Sequence, residues 1–348
     1  MTKRLALLLA LAAAGSTLAS AGTTAYFVRT NGRDEAYLWK AESSGAISLV
    51  PPVFPMWGTA GYYNDRPVVS PDNKKLVFAK SGDLWIRDLG TLDEHRITHA
   101  ARPYDGEHSW VSIEIRGWSP RSDRLLYEIV RPDRYPRDNC GGGTLPVTRD
   151  APYGLYLYEE KTETSRAVTL PGWFVAWLSS QEVVATTEPN RFASSLVRVK
   201  LESSEQKPLS FPSDRSCGQL AANTEGSWLL ASCNWDRKGQ LMEMDLRDGQ
   251  LRSLTPEREF ADLQWPTFSP DGSRIAWVRR SRPPWDQPIG SLVVDSNEVF
   301  ACKPPGSGLD YRWIDDRTIL CDCYTDLFVI DASTGAVKGT MPTAARVP

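Results

Sequence analysis

A short turn recurs through this chain at intervals of about 45 residues, each time between two apolar runs. Val69-Ser70-Pro71-Asp72-Asn73 precedes Leu76-Val77-Phe78. Trp118-Ser119-Pro120-Arg121-Ser122 precedes Leu125-Leu126-Tyr127, and Phe268-Ser269-Pro270-Asp271-Gly272 precedes Ile275-Ala276-Trp277. Weaker copies sit at Trp177, Ala222 and Trp313. Proline presets φ, aspartate bonds its own backbone, and glycine accepts a positive φ, so each copy predicts a β-hairpin.

The segments beyond the hairpins repeat as well. Asp83-Leu84-Trp85-Ile86-Arg87-Asp88 and Arg96-Ile97-Thr98 come after the first copy, and Gly154-Leu155-Tyr156-Leu157-Tyr158 and Arg166-Ala167-Val168-Thr169-Leu170 after the next. Gln240 to Leu246 with Leu251 to Thr255, and Asp326 to Asp331, repeat the pattern further on. The unit is four short strands, and a repeat of roughly 40 to 45 residues is the length of one propeller blade. An N-terminal unit, Thr24 to Val50, adds two strand patterns without a turn copy of its own. An all-β propeller of seven four-stranded blades is expected. Six is the alternative, in which the first and last partial units share one blade.

Lys3 and Arg4 precede an apolar run from Leu5 to Ala14, and Ala19-Ser20-Ala21 offers small residues for cleavage. Residues 1–21 therefore read as a secretory signal peptide and 22–348 as a single β-propeller domain. The apolar run is too short to cross a bilayer, and no later segment is apolar enough to do so. The 40 basic residues are outnumbered by 43 acidic ones, which argues against nucleic acid as a partner.

The aromatic-Ser-Pro-Asp-Gly turn, with a strand such as Asp83 to Asp88 after it, resembles the repeat of TolB-like β-propellers. The likeness is strong at 67–98 and 263–280 and weaker across the rest of the chain. It implies an exported protein, periplasmic or secreted, without the additional α/β domain that TolB carries before its propeller. Some propellers of this kind resemble oligogalacturonate lyases, which set several histidines around a metal. This chain holds only His95, His99 and His108. Propeller-containing peptidases carry a separate α/β-hydrolase domain, and no Gly-x-Ser-x-Gly elbow occurs here. No catalytic residue, metal or cofactor is assigned.

In an up-and-down blade, the turns between first and second and between third and fourth strands share one face. All other connections fall on the opposite face. The long segments 51–66, 99–111, 131–153, 233–239 and 279–290 all belong to that second set, and long loops on a rigid scaffold are where function concentrates. They carry Phe54, Trp57, Tyr62 and Tyr63; Arg102, Tyr104, His108 and Trp110; Arg134, Tyr135 and Arg137; Trp235 and Arg237; and Arg279, Arg280, Arg282 and Trp285. Tyr, Trp and Arg are the residue types enriched at interface hot spots. The expected partner is a protein, peptide or glycan of the cell envelope, and the chain is expected to be a monomer. The alternative is a carbohydrate-active enzyme, a glycoside hydrolase or lyase, with Asp105, Glu107, Asp133, Asp138, Asp236 and Asp286 converging at the axial mouth. The turn aromatics Trp118, Trp177, Phe268 and Trp313 recur at equivalent positions and are expected between blades.

Six cysteines in an exported chain point to disulfides. Cys217 and Cys233 are equidistant from Glu225 at the centre of one hairpin, which sets them opposite each other across two strands. Cys302 is expected to pair with Cys321 or Cys323, and the remaining one with Cys140.

Overall fold

The computed structural model describes residues 24–30, 35–55, 67–80, 83–98, 112–130, 154–172, 174–186, 196–211, 216–235, 238–256, 258–259, 261–281, 290–302, 309–323 and 326–342. They form seven antiparallel sheets, each built from strands consecutive in sequence, and no helix. Blades 2 to 7 have four strands each, with a short fifth strand, Arg258–Glu259, added to blade 5. The first strands of blades 4, 5 and 6 touch one another in turn, and contacts between blade 7, blade 1 and blade 2 close the ring. All six Ser-Pro-type turns join a first strand to a second, as their sequence requires.

Burial follows radial position. Second and third strands are sandwiched between neighbouring blades and read as nearly unbroken apolar runs, as in Gly290–Val294, whose residues are all buried. Thr164–Val168, a fourth strand at the rim, is almost wholly exposed. Each large aliphatic side chain buried between blades contributes about 1.5–3 kcal/mol. Three of the four turn aromatics pack as expected, with Trp118, Trp177 and Trp313 each under a tenth exposed, whereas Phe268 is only half-buried. Each of these indoles also donates to the preceding blade: Trp118 Nε1 to Val68 O at 3.3 Å, Trp177 Nε1 to Gly117 O at 3.0 Å, and Trp313 Nε1 to Thr267 Oγ1 at 3.1 Å.

Blade 1 differs from the others. Its three strands, Thr24–Thr30, Glu35–Glu42 and Ile47–Pro55, stand where the second to fourth strands of other blades stand. The register of its last hairpin settles this. A Cβ on Gly45 would strike Lys338 O of blade 7, just as one on Gly335, in the third-to-fourth turn of blade 7, would strike Val299 O of blade 6. Blade 7 has four strands of its own, ending in Val337–Pro342, so the first and last units do not share a sheet. The ring has seven blades.

One face is interlocked. Within blades, the two kinds of turn bond directly: Leu89 N to Lys74 O at 2.7 Å, Glu160 N to Asp123 O at 3.0 Å, Leu246 N to Ser227 O at 2.9 Å and Ala332 N to Arg317 O at 2.8 Å. Between blades, Asp72 N donates to Ser122 Oγ at 3.0 Å, Ser180 Oγ to Asp123 Oδ1 at 2.6 Å, and Asp271 N to Asp316 Oδ1 at 2.8 Å. A basic residue five positions after the turn serine repeats the same reach into the next blade. Lys75 pairs with Glu160 at 2.7 Å, Arg124 with Glu202 at 2.8 Å, and Arg274 donates to Ala332 O at 3.1 Å.

Candidate functional site: the axial face

The interlocked turns fix which face is free of them. Strand ends at Pro55, Val130, Ser281 and Cys302, and strand starts at Ser112, Gly154, Gly290 and Leu309, all lie at the end of their blades away from the Ser-Pro turns. The long connections therefore leave from one face.

Of the residues singled out in sequence, Trp57, Tyr62, Tyr63, Arg102, Tyr104, His108, Trp110, Arg134, Tyr135, Arg137, Arg237, Arg282 and Trp285 lie outside the described residues, as do the six acidic candidates, His99 and Cys140. Phe54, Trp235, Arg279 and Arg280 fall on strands rather than in loops. The strand Ile47–Pro55 contains Phe54, Trp228–Trp235 ends at Trp235, and Ile275–Ser281 carries both arginines. The two hairpins extend further than turn chemistry alone indicates, because strand pairing continues until the register runs out at Trp235↔Lys238 and Ala261↔Ser281. His95 sits exposed on a rim strand, 3.4 Å from the Tyr158 hydroxyl. No group of three metal-ligating side chains occurs among the described residues.

The innermost strands of blades 3 to 6 share a feature that turn chemistry and periodicity do not announce. Each carries a β-bulge at about the same height, with Arg116, Val175, Gln219 and the Trp265-Pro266 pair as the extra residues. A bulge bends its strand and re-aims side chains, and bulges concentrate beside functional sites. Arg116 is neutralised by Glu114 and Glu128. Gln219 and Trp265 both take left-handed backbone, with φ of 50° and 51°. For a tryptophan this costs about 1–2 kcal/mol.

Two neighbouring blades hold Trp265 in that conformation. Its N–H donates to Gln219 Oε1 of blade 5 at 2.7 Å, and its carbonyl lies 2.6 Å from the Tyr311 hydroxyl of blade 7. Tyr311 also stands 2.7 Å from Ala276 O and 2.9 Å from Thr267 Oγ1, in a site whose burial pushes the phenol far up from its ordinary pKa. Trp265 is 37% exposed, unlike the buried turn tryptophans. The Arg280 guanidinium stacks on its ring, 5.1 Å from the centroid. Arg280 Nε is buried without a hydrogen-bond partner, whereas its neighbour Arg279 is paired with Glu298. The signal in sequence was a tryptophan followed by proline three residues ahead of Phe268; of the other turn copies only that at Trp177 has an aromatic there, Phe174, and no proline follows it.

On the opposite, interlocked face a shallow depression of about 300 Å³ lies between blades 3 and 4, lined by Arg124, Glu159, Arg166 and Glu202 among others. Its charges neutralise one another through the Arg124–Glu159, Arg124–Glu202 and Arg166–Glu202 pairs.

The cysteines sort into two disulfides, Cys217–Cys233 as expected and Cys302–Cys323. Cys321 corrects the remaining expectation: it is a free thiol, buried between blades 6 and 7 and pushed up in pKa by that burial, not a partner for Cys140. Cys321 and Cys323 share a strand face, and the register sets Cys323, at the strand end, within reach of Cys302.

No protein-family model and no curated protein sequence matches the chain. Solved structures match it in fold. An oligogalacturonate lyase in complex with manganese superposes with a TM-score of 0.56 at 14% identity, covering 86% of this chain and 82% of that one. A prolyl endopeptidase gives 0.51 at 14% identity over 90% of this chain, which spans about half (47%) of that protein. TolB from Acinetobacter baumannii gives 0.47 at 16% identity, over 80% of this chain and 62% of that one. At these identities the likeness is one of fold alone.

Proposed function

We propose that this chain is an exported, non-catalytic β-propeller that binds a protein, peptide or glycan of the cell envelope through the face opposite its interlocked turns. The observation that carries this reading is the asymmetry between the two faces. One is closed by turn-to-turn bonds and paired charges, and the other receives every long connection. By sequence those connections are rich in aromatic and arginine residues, the residue types that dominate binding energy at interfaces. The exposed, strained Trp265, midway along an innermost strand, adds a candidate position on the axial wall, since strain held by surrounding structure gathers at functional positions. Two disulfides accord with an oxidising compartment outside the cytoplasm.

The test is capture of partners from a bacterial envelope extract by immobilised protein, wild type against Trp57→Ala, Tyr135→Ala and Trp285→Ala. Loss of a captured component in at least one variant is expected. Undiminished capture by all three overturns the assignment to this face.

A further inference from the structure

Cys217 and Cys233 face each other only because Gln219 is an extra residue in its strand. Carried on from Leu220↔Ala231 without that bulge, the ladder would set Gly218 against Cys233 and Cys217 against Asn234. A slip of one residue turns a side chain to the other face of the sheet, so the bridge cannot close in that register. Conversely, once the bridge is closed the bulge cannot slide out. Blade 5 needs such a pin more than blade 3 does. The bulge of blade 3 lies beside Gly117, which takes φ of 127° freely, whereas in blade 5 Gln219 itself is held at φ of 50°. The Gln219 side chain then accepts the N–H of Trp265 from the next blade at 2.7 Å, and Trp265 is exposed with a left-handed backbone of its own.

We infer that the Cys217–Cys233 bridge is an oxidation-set lock on the presentation of Trp265 to the axis. In the dithiol form nothing covalent holds Gln219 at the bulge, and its strained backbone relaxes and withdraws the acceptor from the Trp265 N–H. On oxidation the two thiols give two electrons and two protons to a disulfide-bearing oxidant, which leaves as a dithiol, and the new S–S bond fixes the bulge. Both cysteines are buried, so the closed bridge is shielded from reductants. Where the lock is set, outside the cytoplasm, rests on the role proposed above; how it works does not.

Hydrogen exchange at the Trp265 amide, followed by nuclear magnetic resonance, tests the lock on the oxidised wild type, on wild type folded in a dithiol reductant with every cysteine counted as a thiol, and on oxidised Cys217→Ala/Cys233→Ala, which keeps Cys302–Cys323. Measured against the buried strand Gly290–Val294 of blade 6, Trp265 is expected to exchange about tenfold faster in the reduced and alanine proteins than in the oxidised wild type. Gln219→Ala, with the bridge intact, should match them. Gln219→Glu, which keeps an acceptor, should retain the protection. Equal acceleration in both strands would make the bridge a general stabiliser and overturn the lock, as would an unchanged Trp265 rate without the bridge. Should the chain not fold in reductant, the alanine variant decides alone. Because no ligand enters the measurement, capture by the Trp57, Tyr135 and Trp285 variants bears on the binding role and not on the lock.

Discussion

The guanidinium of Arg312 donates to the carbonyl of Tyr26 at 3.1 Å, joining the last blade to the first across 286 residues of sequence. The same side chain reaches past blade 1 to Ser70 O at 3.3 Å and Asn73 Oδ1 at 3.0 Å in blade 2. Among the described residues no strand of blade 1 lies inside Thr24–Thr30, and there the guanidinium takes up the Tyr26 carbonyl. Surrounding protein pushes its pKa down to about 10, so it keeps its charge at neutral pH.

Arg312→Ala is therefore expected to lower stability by about 3 kcal/mol, since it strips donors from enclosed carbonyls. Arg312→Lys should recover only part of this, because one ammonium cannot span both neighbouring blades. Urea unfolding followed by tryptophan fluorescence measures both. A midpoint unchanged in Arg312→Ala would show that blades 1 and 7 are held by apolar packing alone.

The turn aspartates make stability fall in acid. Ser269 Oγ, then the backbone N–H and hydroxyl of Ser273, bond the Asp271 carboxylate and hold its pKa down to about 2. Burial opposes the shift at Asp72 and Asp123, yet hydrogen bonds from Ser70 and from Ser119 and Ser180 lower both. A carboxyl depressed on folding stabilises above its unfolded pKa, near 4, and loses that contribution as pH falls through the folded value. The urea midpoint should drop between about pH 4 and 2. Asp271→Asn should flatten that slope, and an equally steep slope in the variant would refute the assignment.

Cysteine chemistry gives a chemical check. Non-reducing peptide mapping should recover Cys217–Cys233 and Cys302–Cys323. Cys321 should resist iodoacetamide in the native protein and react once unfolded, being enclosed with its thiolate disfavoured. Replacing Cys217 and Cys233 together by serine is expected to cost about 3 kcal/mol, the loop-closure term for a bridge of this span.

Trp177→Phe retains most of the ring but removes the donor to Gly117 O, so a loss of about 1 kcal/mol is expected. Trp177→Ala should lose about 3–5 kcal/mol, as the wall between blades 3 and 4 is left with a void. Similar losses for both would mean that the indole proton, not the ring, carries the contact.

Blade number and hairpin positions were legible because each depends on local chemistry: a Ser-Pro turn, then alternating or continuous apolar runs. The Cys217–Cys233 pairing came from counting about Glu225, yet the hairpin is centred half a residue later. The bulge at Gln219 shifts the register back and sets the two cysteines opposite each other. Turn geometry does not encode that bulge, and it is the same residue that secures Trp265. The choice between Cys321 and Cys323 was open because residues two apart share a face, and only the position of Cys302 at its own strand end decides it. Trp265 escaped notice because its exposure and backbone are imposed by adjoining blades, and a sequence periodicity records what repeats. Lys75, Arg124 and Arg274 do repeat, but their role emerges only when the next blade is beside them.

Every sheet here consists of strands that follow one another along the chain. Pairing within a blade can thus proceed vectorially, each unit forming from residues only a few tens of positions apart, before its neighbours exist. Among the described contacts, the meeting of blades 1 and 7 alone must await the full length. Circle closure is thereby assigned to a late folding step, and Arg312, not a shared strand, is the latch that completes it.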